Sequence, residues 1–142
     1  MPRILLVNGP NLNLLGKRKP EIYGTTTLPE LVDRLSQTAR AAGYELVAFQ
    51  SNHEGAIIDF LHKEAPNAAG LIINPGALGH YSYALRDAIE AVEIKAIEVH
   101  ISNVHAREEF RRQLVLTPVC IDQVVGLGAE GYFIALRKLL GQ

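Results

Sequence analysis

Short apolar runs alternate with stretches of helical periodicity along this 142-residue sequence, and that alternation constrains the fold most. Arg3 to Asn8 (RILLVN) and Gly70 to Asn74 (GLIIN) are almost wholly apolar, as central parallel strands covered on both faces must be. Tyr44 to Phe49, Lys95 to His100 and Val119 to Val125 read as three more strands. Thr27 to Gly43 carries Leu28, Leu31, Val32, Leu35 and Ala39 on one helical stripe, with Thr27 placed to cap it and Gly43 to end it. Glu54 to Ala65, His80 to Val92 and the segment from Gly128 to about Leu140 show the same spacing. Such alternation predicts a parallel sheet with helices on both faces. Right-handed crossovers leave few topologies, of which the order 2-1-3-4-5 is the expected one, with a switch point between the first and third strands.

The length fits one domain over residues 1–142. A hydrophobic share of 48% against 20% charged residues excludes a disordered chain, and a net charge of -1 argues against nucleic acid as a partner. One cysteine, Cys120, excludes a disulfide framework, and its apolar neighbours make it a core residue rather than a nucleophile. The opening MPRILLVNGP lacks the apolar length of a signal peptide and no run approaches a membrane span, so a cytoplasmic protein without membrane contact is expected.

Polar residues gather where the strands end. Asn11, Arg18 and Tyr23 follow the first strand, Asn74 and His80 the third, and Glu98, His100 and Ser102 mark the fourth. Parallel sheets bind ligands at the carboxyl ends of their strands. The stretch Ile97 to Arg112 (IEVHISNVHAREEFRR) therefore carries the greatest weight: a strand ending in Glu and His, a break at Ser102-Asn103, then a short charged helix with acids first and Arg111 and Arg112 last. Such an edge suits an anionic substrate. The bland alternative is a half-buried strand and a solvated helix.

The sequence narrows the chemistry. No GxGxxG follows the first strand, and Gly126 to Gly131 (GLGAEG) has no strand after it, so it reads as a tight strand–helix junction. The histidines lack metal-ligand spacing, and no serine sits in a nucleophile elbow. Acid–base chemistry by His, Tyr, Arg, Asn and Asp remains. Tyr23 lies in a glycine-flanked loop near Lys17, Arg18 and Lys19, and a cation close to a phenol favours phenolate, so this tyrosine can serve as a base as well as a packing anchor. His100, with Glu98 or a carbonyl orienting its ring, suits the acid. A module that holds a nucleotide or flavin and does no chemistry is the alternative from another class.

The blocks NGPNLNLLGKR with IYG, FQSNHEG, LIINPGALGH with LRDA, EVHISNVHAREEFR and GLGAEGY together resemble type II 3-dehydroquinate dehydratase over nearly the whole chain. The resemblance implies a flavodoxin-like three-layer fold, conversion of 3-dehydroquinate to 3-dehydroshikimate with no cofactor or metal, and homo-oligomers in which trimers group into a dodecamer. By resemblance Tyr23 is the base at C2, Arg18 keeps it ionised, Asn11 stabilises the enolate oxygen through a water, and His100 protonates the departing C1 hydroxyl. Asn74, Ile101 and Ser102 correspond to carboxylate contacts, His80 and Arg111 to ring-hydroxyl contacts, Asp87 to a carboxylate donated by a neighbouring subunit, and Glu98 to the support of His100. Lys19, Gly79, Tyr81, Leu114 and Asp122 depart from the family's usual residues, none at a position with a chemical role.

Overall fold

The structure is a computed structural model that describes every residue except Arg18, and the backbone alone of Tyr23. Among the described residues five strands pair in parallel: β1 (Arg3–Asn8), β2 (Glu45–Gln50), β3 (Gly70–Asn74), β4 (Ala96–His100) and β5 (Asp122–Val125). Their order is β2-β1-β3-β4-β5, the expected one. The helices are α1 (Pro20–Tyr23), α2 (Leu28–Ala41), α3 (Glu54–Glu64), α4 (Tyr83–Ala91) and α5 (Glu130–Leu139). None is long and apolar enough to cross a membrane.

Two apolar cores lie on the two faces. Leu31 and Leu35 of α2 and Phe133 and Leu136 of α5 pack on Ile4, Leu6, Ile72 and Val99. Ile57 and Leu61 of α3 and Leu85 and Ile89 of α4 pack on Leu5, Val7, Leu71 and Ala96. Thr27 caps α2 as its sequence implies, its Oγ1 accepting from the Glu30 amide, and Gly43 follows the helix at φ 86.

Two expectations fail locally. His80 lies outside the α-helix. It closes a 3-10 turn, Gly76–His80, and α4 begins only after Ser82, whose Oγ accepts from the Leu85 amide at 3.0 Å. The charged helix after β4 is absent as well. Val104–Ala106 and Glu109–Arg112 are separate 3-10 turns with Arg107 extended between them. The large apolar residues of this stretch, Val104 and Phe110, stand six apart and share no helical face, which leaves a helix only Ala106 and Phe110 to bury.

Candidate active site

Because side chains alternate along a strand, the polar strand ends point to opposite faces of the sheet. Asn8 and Asn74 continue the rows of Leu6 and Ile72 toward α5. Glu98 and His100 continue the row of Ala96 toward the α3–α4 side. A cleft of about 170 Å³ opens across the ends of β1, β3 and β4.

The β1 and β3 loops meet backbone to backbone under this cleft. The Gly9 amide donates to the Asn74 carbonyl at 2.8 Å, and a Cβ on Gly9 would stand 2.3 Å from the Pro75 oxygen. Asn11 takes a left-handed φ of 71, a conformation asparagine tolerates. Its amide donates to Asn52 Oδ1 at 2.9 Å, and Gln50 Nε2 donates to the Gly9 carbonyl at 3.2 Å. The turn after β2 thus pins the β1 loop.

Asn74 is buried and its amide orientation is fixed. Its Oδ1 accepts from the Gly76 amide at 3.1 Å, and its Nδ2 donates to Tyr132 Oη at 2.8 Å. The tyrosine donates onward to Asn8 Oδ1 at 2.6 Å. Burial pushes the Tyr132 phenol up, so it remains a neutral donor.

His80 and His100 lie ring to ring, 5.9 Å between centroids. His80 Nδ1 donates to the Gln113 carbonyl at 2.9 Å, and Phe110 meets the same ring edge-on. Burial lowers the His80 pKa, against the Gln113 bond, which raises it; His100 and Arg111 nearby add to the lowering and Glu98 opposes it. The neutral ring therefore presents an Nε2 lone pair, an acceptor for a hydroxyl. His100 Nε2 meets Glu98 Oε2 at 2.6 Å, both side chains buried, so that Nδ1 is the ring nitrogen left for proton exchange. The glycine turn after β5 ties the strand end down: the Gly126 and Gly128 amides donate to the carbonyls of His100 and Ile101 at 3.0 and 3.1 Å. It is the junction its sequence suggested. On the cleft's outer side Arg107 Nη1 donates to Ser102 Oγ at 3.1 Å, and Arg111 Nε donates to Glu108 Oε2 at 3.0 Å.

A pattern of this kind has relatives. The family model Dehydroquinase class II matches residues 2–140. A 3-dehydroquinate dehydratase of Bacillus pumilus is 56% identical over 142 residues, covering 100% of this chain and 97% of that protein. The crystal structure of type II dehydroquinase from Propionibacterium acnes superposes with a TM-score of 0.95 at 40% identity, covering 100% of this chain and 98% of the other. That of type II dehydroquinase from Butyrivibrio crossotus gives 0.94 at 50% identity, covering 97% of each.

The chain belongs to the class II dehydroquinase family.

Asn11, Asn74, His80 and His100 of the expected set line the class II dehydroquinase cleft, as do Ile101, Ser102 and Arg111. Glu98 stands behind His100, fully buried, which replaces the half-buried strand considered above. Asp87 is exposed on α4 and does not line the cleft of its own chain. Arg18 and the Tyr23 side chain lie outside the described residues. Cys120 is half-buried against the α3–α4 core, and burial pushes its thiol up to about 12, so it is no nucleophile at neutral pH. Sequence reasoning missed Arg107, which was submerged in a run of charges, and Tyr132, which reads as one more apolar-stripe aromatic.

Proposed function

We propose that the cleft dehydrates 3-dehydroquinate to 3-dehydroshikimate by stepwise anti elimination, without metal or cofactor. The observation that carries this reading is the buried Glu98–His100 pair at the carboxyl end of β4, a built general acid facing a small polar cleft. Tyr23, held ionised by Arg18, removes the C2 proton, and Asn11 stabilises the enolate oxygen through a water. His100 then protonates the leaving C1 hydroxyl. Asn74 with the Ile101 and Ser102 amides holds the substrate carboxylate, while His80 and Arg111 hold ring hydroxyls. A neutral His80 accepting at Nε2 supports that assignment.

Asp87 completes the site of a neighbouring subunit. The exposed position of Asp87, away from its own cleft, supports this; the trimer, and its grouping into dodecamers, rest on the family resemblance. The test is ultraviolet absorbance of the purified protein mixed with 3-dehydroquinate. The conjugated enone product is expected to grow in. A protein that purifies yellow and leaves dehydroquinate unchanged would instead be the flavin-holding alternative.

A further inference from the structure

The hydrogen bonds behind Glu98 continue beyond the acid pair. Glu98 is fully buried, and a carboxylate in that position requires donors on both oxygens. Oε2 is taken by His100 Nε2, and Oε1 accepts from Thr117 Oγ1 at 2.5 Å. The threonine oxygen accepts in turn from Gln123 Nε2 at 3.3 Å. An amide N–H only donates, so this last contact occupies an acceptor position on Oγ1 and turns the single hydroxyl proton toward Glu98. The fold supplies each member separately. Gln123 is the register partner of Glu98 across the β4–β5 ladder, which places both on one face of the sheet. Thr117 opens the 3-10 turn Thr117–Val119 that feeds β5, closed by the Cys120 amide on the Thr117 carbonyl at 3.1 Å. Thr117 does not line the cleft.

We propose that Thr117 is a positioning residue for the elimination, acting through Glu98 on His100, with Gln123 orienting its hydroxyl. The terminal torsion of a glutamate is soft and has no sharp rotamer well. A carboxylate anchored at one oxygen therefore swings, and its partner ring swings with it. Anchored at both, Glu98 keeps Oε2 on Nε2 and leaves His100 Nδ1 aimed at the leaving hydroxyl. The proposal rests on the dehydratase reading above.

Steady-state kinetics with 3-dehydroquinate test it on the intact protein, with circular dichroism as the check of folding. Thr117→Val keeps the shape and removes the hydroxyl; kcat is expected to fall by at least about tenfold while KM stays within about twofold. Thr117→Ser restores the donor and is expected to hold kcat within about threefold of wild type. If the valine variant does not fold, Thr117→Ala is read by the same criteria. A folded valine or alanine variant with wild-type kcat overturns the proposal, as does a serine variant as slow as valine, or a loss carried by KM. A wild type without turnover overturns the dehydratase reading and this proposal together, whereas an active wild type with an equally active Thr117→Val overturns only the positioning role.

Discussion

His80 donates from Nδ1 to Gln113 and is held neutral chiefly by burial, so the folded chain binds a proton there less readily than the unfolded one. The sign of the linkage follows. The unfolded state takes up the proton first, so the stability His80 contributes is complete above its ordinary value of 6.5 and is lost as pH falls below it. Asparagine places an amide N–H where Nδ1–H stood and does not titrate. Urea unfolding of wild type is therefore expected to lose more free energy between about pH 7 and about pH 5 than unfolding of His80→Asn; equal slopes would contradict the neutral ring. At this scale the sequence was readable where a residue type has few other reasons to be present. Asn74, His80 and His100 stood out as polar groups at strand ends. Thr117 did not, because a hydroxyl before Pro118 reads as an ordinary turn, and its partner Glu98 lies 19 residues away.

Helix α5 supplies more than apolar cover. Through Tyr132 it bonds to Asn8 on β1 and Asn74 on β3, partners 124 and 58 residues distant. Local periodicity carries no trace of such contacts, so nothing in the sequence singles the tyrosine out. Tyr132→Phe removes one oxygen and leaves Asn8 Oδ1 and an Asn74 Nδ2–H buried without a partner, a loss of about 1–3 kcal/mol. A shift in the urea midpoint measures it, and a variant as stable as wild type would deny the bond any structural weight. Element boundaries were legible where caps are local, as at Thr27. They misled at Ser82, whose capping role was overlooked in favour of a helix starting at His80. They misled again after β4, where charge order imitated a helix with little apolar face to bury.

For the whole molecule, strand alternation and right-handed crossovers left few sheet orders, and the structure takes the expected one. In the proposed trimer the site is completed by assembly. If Asp87 is donated across an interface as proposed, mixed trimers of Tyr23→Phe and Asp87→Ala chains, each expected to be inactive alone, contain sites with both groups intact. Co-refolding the two is expected to restore activity that neither has alone, and mixed trimers without any would contradict donation. The central claim is a two-step elimination, with Tyr23 forming the enolate and His100 assisting departure. His100→Ala in heavy water tests it most directly. The C2 hydrogen of 3-dehydroquinate is expected to exchange faster than product forms, because enolate that cannot lose hydroxide returns to substrate, while Tyr23→Phe is expected to show neither exchange nor product. Folded His100→Ala turning over at the wild-type rate would contradict the account.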